Sequence, residues 1–178
     1  MGLGYLMKSP EGNVLLTSLQ IATLVKEVAQ QLNKDYKRRS PLLVGVLNGS
    51  FIFMSDLVRQ LSFVAEICFV QLSSYGNDTK TSGEVHLVRD IDIDVRGRSV
   101  LIIEDIVDTG LTIKWLCSYL REKGAHPVKV CTLLSRNPKD ITPDYVGMQL
   151  KTDKFLVGYG LDLDNKFRNF PYIIEFGG

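Results

Sequence analysis

The chain has 178 residues, 45% of them hydrophobic and 23% charged, with a formal net charge of +1. This length fits one domain, residues 1–178, that buries most of its apolar surface. The near-neutral charge gives no electrostatic footprint for nucleic acid or an anionic membrane surface. Residues 1–13 lack the charged and apolar segments of a secretion signal, and no apolar run reaches the roughly 18 residues of a membrane-spanning helix. The sequence therefore predicts a cytoplasmic protein without nucleic-acid or membrane partners.

The first part of the chain predicts an edge strand, a helix and the start of an α/β unit. Residues 1–16 are weakly patterned, which is typical of an arm or edge strand. Thr17 and Gln20 fit a capping box, and the apolar spacing that follows predicts an amphipathic helix of about five turns. A buried strand is expected over residues 42–47, then a turn at Asn48-Gly49-Ser50 and a helix over residues 51–61.

The middle of the chain alternates between further strands and helices. Strands are predicted at 63–72, 84–88, 99–104 and 128–134, with a polar turn at 90–98. Residues 73–84, rich in Ser, Thr, Gly and Asn, predict a mobile loop. The helix after residue 108 is expected to present Leu111, Trp115, Leu116, Tyr119 and Leu120 inward and to end at Gly124. This order favours the α/β class, with a mainly parallel central sheet flanked by helices and right-handed crossovers.

Cys68, Cys117 and Cys131 show no spacing typical of metal ligands. They fall in an apolar strand, a helix and another apolar strand, so buried reduced thiols are expected.

The strand over residues 99–104 leads into three acids and a Gly-Thr turn. Ligands of open α/β sheets bind beyond the carboxyl ends of the strands, where Glu104 and Asp105 are expected. At the helix start, residues 108–112, free backbone N–H groups and two threonine hydroxyls can surround a phosphate. Carboxylates repel phosphates, so the pattern favours a ligand with a phosphate at one end and hydroxyls with bound Mg²⁺ at the other. A solvated acidic turn before a Thr-capped helix is the alternative, but it leaves the order Asp-Thr-Gly-x-Thr unexplained.

The run Ile103-Glu-Asp-Ile-Val-Asp-Thr-Gly110 resembles the phosphoribosyl pyrophosphate motif of type I phosphoribosyltransferases, in the form of the hypoxanthine-guanine branch. The resemblance extends over residues 40–175. It implies a purine-salvage transferase that moves the 5-phosphoribosyl group from phosphoribosyl pyrophosphate to N9 of hypoxanthine or guanine, with xanthine as a further candidate, and releases the nucleoside 5′-monophosphate and pyrophosphate. It also implies the type I fold, Mg²⁺ as cofactor and a homodimer or homotetramer.

The resemblance assigns roles residue by residue. Asp108 is expected to be the catalytic general acid or base. The loop residues Ser74 and Tyr75 are expected to close over the reacting centre, and the C-terminal segment, residues 144–178, is expected to form a small base-binding cap. The expected ligand sets are Asp108, Thr109, Gly110, Leu111 and Thr112 for the 5′-phosphate; Glu104 and Asp105 for the ribose; Glu104, Asp105 and Asp162 for the metal; Asn48, Gly49 and Arg168 for pyrophosphate; and Arg136, Phe155, Leu156 and Asp162 for the purine.

Two residues depart from the family pattern. Asn48 stands where the family usually has lysine, in a turn that often carries a non-proline cis peptide. Arg136 replaces the lysine that donates to the 6-oxo group of the purine, and its longer planar fork need not reach the same point. The choice among hypoxanthine, guanine and xanthine therefore stays open.

Two other functions are compatible with parts of this sequence. A regulator of the same fold would sense phosphoribosyl pyrophosphate, and if it bound nucleic acid its affinity would depend on salt. A phosphoribosyltransferase for another base, such as a pyrimidine, is disfavoured by the run Phe155-Leu-Val-Gly-Tyr-Gly-Leu-Asp162.

Overall fold

The computed structural model describes residues 12–74 and 85–177. None of the helices within these two ranges is long and apolar enough to cross a membrane. The elements of these ranges, in chain order, are β1 (Gly12–Leu16), α1 (Ser18–Asp35), β2 (Leu42–Leu47), α2 (Phe51–Val58), β3 (Glu66–Ser74), β4 (Val85–Arg89), β5 (Val100–Val107), α3 (Leu111–Glu122), β6 (Val128–Ser135), β7 (Tyr145–Gln149), β8 (Phe155–Val157) and β9 (Ile173–Phe176).

Helix α1 begins at the predicted capping box. The Thr17 hydroxyl accepts a hydrogen bond from the Gln20 N–H at 3.3 Å, and the Gln20 side-chain oxygen accepts one from the Thr17 N–H at 2.9 Å. This pair satisfies N–H groups that a helix start leaves without intrahelical partners. The residues that bury the inner face of α1 are Ile21, Val25, Val28, Ala29 and Leu32.

The main sheet has six strands, in the order β4-β3-β2-β5-β6-β7, and the hydrophobic core packs against its two faces. Neighbouring strands are parallel except β4, which is antiparallel to β3. Alternate residues of the central strands face opposite sides, so Leu101 and Ile103 pack with α1 and α2 whereas Ile102 packs with α3. The predicted α/β class with a mainly parallel sheet is confirmed.

A second, three-stranded antiparallel sheet, in the order β1-β9-β8, forms the cap. The predicted edge strand before residue 17 is confirmed for Gly12–Leu16. The prediction that residues 144–147 belong to the cap is wrong, because β7 pairs in parallel with β6 and extends the main sheet. It satisfies the backbone groups that β6 would otherwise expose at the sheet edge.

Tertiary pairing shifts several predicted boundaries. Helix α2 ends at Val58 and not at residue 61, because Gln60 and Leu61 donate to carbonyls three residues back, in a tighter turn. Strand β3 covers Glu66–Ser74 instead of 63–72, since it pairs with β2 from Glu66 and with β4 up to Ser74.

The inner face of α3 differs from the prediction. Its buried residues are Ile113, Leu116, Cys117 and Leu120. Leu111 is 44% exposed, so its predicted inward orientation is wrong: it begins the helix, beyond the reach of the core. Trp115 and Tyr119 are half-buried and stack on each other, with ring centroids 5.1 Å apart. Gly124, with a φ of +88°, lies just past the end of α3, as predicted.

Candidate active site

Glu104 and Asp105 lie inside β5, whereas the sequence predicts them beyond the carboxyl end of this strand. Strand β5 pairs with β6 as far as Val107, but its pairing with β2 ends at Ile103. The two acids therefore lie just past the end of the β2–β5 pairing, and they border the cavities at this edge of the sheet. Both are buried, with exposures of 8% and 6%.

The turn after β2 packs directly against Asp105. A Cβ atom on Gly49 would lie 1.9 Å from Asp105 Oδ2 and 2.6 Å from its Cγ, so only glycine leaves room for this carboxylate. The Leu47–Asn48 peptide bond is cis, the form that the family resemblance suggested, and Asn48 is exposed. The turn predicted to bind pyrophosphate and the acids predicted to bind ribose and metal are thus in contact.

The electrostatics of the acid pair favour a cation. Burial raises the pKa of Glu104 well above its usual range, and the neighbouring Asp105 carboxylate adds to this shift. Asp105 Oδ1 accepts a hydrogen bond from the Ile106 N–H at 2.8 Å. Two adjacent buried carboxylates repel each other, and a divalent cation would relieve that repulsion.

The segment after β5 forms a concave turn before α3. Gly110 has a φ of +84°, and a Cβ atom there would lie 2.6 Å from Ile141 Cγ2, so a side chain would meet both backbone strain and a clash. The Leu111 N–H donates to the Thr109 hydroxyl at 3.4 Å. The helix therefore begins at Leu111 and not at residue 108, and the segment predicted to bind phosphate is mostly a loop leading into it.

This turn closes a first cavity of about 280 Å³. All of the residues predicted for the 5′-phosphate line it except Leu111. The lining residues are Val46, Leu72, Glu104, Asp105, Ile106, Val107, Asp108, Thr109, Gly110, Thr112 and Ile113.

A second cavity of about 360 Å³ lies on the other side of the acids. All of the residues predicted for pyrophosphate and purine line it, although they come from five separate places in the chain. The lining residues are Val46, Leu47, Asn48, Gly49, Glu104, Asp105, Ile106, Asp108, Arg136, Phe155, Leu156, Leu161, Asp162 and Arg168.

Five residues line both cavities: Val46, Glu104, Asp105, Ile106 and Asp108. Glu104, Asp105 and Asp108 therefore form a shared wall between the first cavity, at the start of α3, and the second cavity, beneath the cap. A single ligand that fills both chambers must pass these carboxylates.

Arg136 links the catalytic candidate to the cap. Its Nη1 lies 3.4 Å from Asp108 Oδ2, and its Nη2 donates to the backbone carbonyl of Lys154, the residue before β8. The Asp108 side chain is 59% exposed and faces both cavities, whereas the Arg136 side chain is only 16% exposed. Arg136 thus stands between the proposed proton-transfer group and the chain that carries Phe155.

The two remaining cap residues form an ion pair. Arg168 Nη2 lies 2.8 Å from Asp162 Oδ1, and Arg168 Nη1 donates to the Gly160 carbonyl at 2.7 Å. At the cap strand, Phe155 is 53% exposed and Leu156 is 4% exposed, so the aromatic ring is the part open to a ligand.

Within residues 12–74 and 85–177, no group of three or more His, Cys, Asp or Glu side chains is placed to hold a metal ion. The three acids predicted as metal ligands therefore do not form one cluster, and Asp162 pairs with Arg168 instead. The adjacent pair Glu104 and Asp105 still suits Mg²⁺, which is commonly held by one or two carboxylates together with substrate phosphates and water.

The predicted loop residues are only partly covered by the structure. The backbone of Ser74 lies in β3, where it pairs with Val85. Tyr75, and with it most of the predicted loop, lies outside the described residues.

Sequence reasoning missed the apolar lining of the site. Val46 and Ile106 line both cavities, and Leu161 lines the second one beside the cap. Val46 sits within a run of apolar residues, which predicts core, whereas Ile106 and Leu161 are apolar residues beside acids. Their one signal was position, since each lies within two residues of a polar residue already singled out.

Comparison with known proteins agrees with this geometry. A family model described as phosphoribosyl transferase domain matches residues 13–164. The chain is 42% identical over 171 residues to a hypoxanthine-guanine phosphoribosyltransferase of Bacillus subtilis, with 94% of each chain covered. The crystal structure of a hypoxanthine phosphoribosyltransferase from Staphylococcus aureus superposes with a TM-score of 0.91 at 37% identity, covering 99% of this chain and 97% of the other.

A second crystal structure, of a hypoxanthine-guanine phosphoribosyltransferase from Bacillus anthracis, superposes with a TM-score of 0.88 at 38% identity, covering 95% of this chain and all of the other. These three matches cover 94% to 99% of the chain. The chain belongs to the phosphoribosyltransferase family, among the hypoxanthine-guanine phosphoribosyltransferases.

Proposed function

We propose that this chain transfers the 5-phosphoribosyl group from phosphoribosyl pyrophosphate to N9 of a 6-oxopurine, hypoxanthine or guanine, in purine salvage. The observation that supports this most directly is the shared wall of acids between the two cavities. A pentose that carries a phosphate at C5 and a pyrophosphate at C1 needs such a site, with its two anionic ends in separate chambers.

In this proposal the first cavity takes the 5′-phosphate. The turn of Thr109, Gly110 and Thr112 offers hydroxyls and backbone N–H groups at the start of α3, where the helix dipole favours an anion. Arg168 and the Asn48–Gly49 turn take the pyrophosphate in the second cavity. Arg168 is suited to this role by its planar fork of donors.

Glu104 and Asp105 take the ribose hydroxyls, directly or through water and Mg²⁺. When it is bound, Mg²⁺ supplies charge neutralisation to the departing pyrophosphate. Breaking the anomeric C–O bond leaves positive charge on the sugar, and the nearby carboxylates stabilise that charge. Burial of both acids strengthens the interaction, because the local dielectric constant is low.

Asp108 exchanges a proton with the purine ring nitrogen. Its exposed carboxylate lines both cavities, which is the position required of a group that acts where base and sugar meet. Phe155 stacks on the base, the backbone of Leu156 bonds to the edge of the base, and Arg136 and Asp162 face its exocyclic groups.

We further propose that the protein works in the cytoplasm as a homodimer or homotetramer. Cys68, Cys117 and Cys131 are buried and unpaired, which suits a reducing compartment.

The proposal is tested by incubating the purified chain with phosphoribosyl pyrophosphate, Mg²⁺ and each of hypoxanthine, guanine and xanthine, and following nucleotide formation by ultraviolet absorbance. Nucleoside 5′-monophosphate is expected from at least one of the first two bases, together with an equal amount of pyrophosphate. Absence of product with all three bases, from a chain that is folded, would refute the proposal.

A further inference from the structure

Tyr159 lines neither cavity, yet it connects the two walls of the second one. Its hydroxyl donates to Asp56 Oδ2 at 2.6 Å, and its side chain is buried, with an exposure of 5%. Its backbone N–H donates to the Phe170 carbonyl at 2.9 Å. Tyr159 thus belongs to the cap by its backbone and reaches α2 by its side chain.

Asp56 lies on the helix that follows the Asn48–Gly49 turn. Helix α2 begins at Phe51, so its position and that of the turn are set together. On its outer side Asp56 pairs with Arg59, whose side chain is 65% exposed. The acceptor for Tyr159 is therefore a carboxylate held on the same element as one wall of the second cavity.

The next residue of the cap touches the turn itself. A Cβ atom on Gly160 would lie 2.1 Å from the Gly49 carbonyl oxygen, so the two backbones are in contact. Gly160 is also bonded to Arg168, both through its N–H to the Arg168 carbonyl at 2.9 Å and through its own carbonyl to Arg168 Nη1 at 2.7 Å. The position of Arg168 relative to Gly49 therefore depends on the backbone contact between Gly160 and Gly49.

We propose that the Tyr159–Asp56 hydrogen bond is a clamp that sets the width of the second cavity. It holds Gly160 and Arg168 against the Gly49 turn, and so positions both sides of the site that takes the pyrophosphate and the base. This inference rests on the proposed function, because it concerns how that site binds its substrates. Tyr159 and Asp56 are positioning residues, since neither lines the cavity.

The clamp acts on one cavity only, which gives it a specific signature. The first cavity is lined mainly by residues of β5 and the start of α3, and by no residue of the cap or of α2. Loss of the clamp should therefore weaken ligands that extend into the second cavity and spare a ligand that stops at the shared wall.

The test is calorimetric titration with two probes, phosphoribosyl pyrophosphate with Mg²⁺ and ribose 5-phosphate alone. Tyr159→Phe keeps the ring and removes only the hydroxyl. Its dissociation constant for phosphoribosyl pyrophosphate is expected to rise about tenfold, as for loss of one hydrogen bond to a charged group, with ribose 5-phosphate within about twofold of wild type. In steady-state assays the KM values for both substrates should rise more than kcat falls.

Further variants separate the clamp from general destabilisation. Asp56→Ala should match Tyr159→Phe, and the double variant should be no weaker than the weaker single variant, because both changes break one contact. Asp56→Asn keeps an oxygen acceptor and should restore most of the affinity. Arg59→Gln removes the outer ion pair but not the clamp, and is the matched control expected to bind both probes as wild type does.

Equal weakening of both probes in Tyr159→Phe, unchanged affinity for phosphoribosyl pyrophosphate, or additive effects in the double variant would each overturn the clamp. A wild-type chain that binds neither probe would refute the proposed function and the clamp with it. Wild-type binding together with an unaffected Tyr159→Phe variant would refute the clamp alone.

Discussion

The contact between Gly49 and Asp105 makes one substitution especially informative. In Gly49→Ala the new methyl group would start 1.9 Å from Asp105 Oδ2, so the carboxylate must retreat by about 1.5 Å to reach an ordinary separation of 3.4 Å. Movement of the turn itself is limited by Gly160, since a Cβ atom there would lie 2.1 Å from the Gly49 carbonyl oxygen. The displacement therefore falls mainly on Asp105, whose carboxylate would be pushed out of its place in the wall between the two cavities.

A displacement of this size at a group proposed to bind the ribose should lower activity strongly. A misplacement of about 1 Å can lower the rate about 100-fold, which equals about 2.7 kcal/mol of transition-state stabilisation. We expect kcat/KM for phosphoribosyl pyrophosphate to fall by about this factor in Gly49→Ala, measured at saturating purine and Mg²⁺. An initial-rate assay of nucleotide formation gives this value directly.

The control for this experiment is Gly97→Ala. Gly97 has a φ of +68° and nothing within 4 Å of an added Cβ, so the change strains the backbone without displacing any atom of the site. It should cost about 1 kcal/mol of stability and leave the KM values unchanged. If Gly49→Ala kept wild-type kcat/KM, or if it lowered activity equally in an Asp105→Ala background, the steric reasoning would be refuted.

Three further predictions concern the acids and Arg136. Asp108→Asn should lower turnover at least about tenfold with little change in the dissociation constant for phosphoribosyl pyrophosphate, and unchanged turnover in the nucleotide assay would remove Asp108 from proton transfer. Arg136→Ala should raise the KM for the purine about tenfold or more while the KM for phosphoribosyl pyrophosphate stays within about twofold, because the Arg136 side chain bonds to Asp108 and to the Lys154 carbonyl beside Phe155, the groups proposed to meet the base; comparable rises in both would contradict this. Folding raises the pKa of Glu104, so the folded state holds its proton more tightly and loses stability as pH rises above the ordinary value of 4.5. In metal-free buffer Glu104→Gln should therefore raise Tm more at pH 8 than at pH 5. The shift should be about 2 to 4 °C for each kcal/mol gained in the free energy of unfolding. An equal shift at both pH values would count against a buried, charged Glu104.

The sequence predicted the central parts of the site because they lie close together in the chain. The acids, Asp108 and the Gly-Thr turn fall within nine residues that cross from a strand to a helix, so local chemistry was enough to place them at one crevice. The apolar spacing of α1 and its capping box were equally local, and both are confirmed.

The parts that sequence reasoning missed depend on contacts between distant segments. The extent of β5 past Ile103 is set by its pairing with β6, and the end of β3 by its pairing with β4. The contact of Gly49 with Asp105 joins residues far apart in the chain, and glycine in an Asn-Gly turn has an ordinary local explanation. Arg136 was placed in the site by family resemblance, but its bonds to Asp108 and Lys154 became visible only in the folded chain.

The small sheet also determines the order in which the site can be completed during synthesis. Strand β1, at residues 12–16, pairs only with β9, at residues 173–176, so among the described strands the first one made must wait for the last. Strand β8, which carries Phe155, has the same requirement. Domains form as the chain leaves the ribosome, and pairing between such distant segments is slow. A nascent chain that has emerged as far as β7 therefore holds all the described strands of the main sheet while the second cavity, proposed to bind the base, is still open, and this cavity is completed only when β9 has been made.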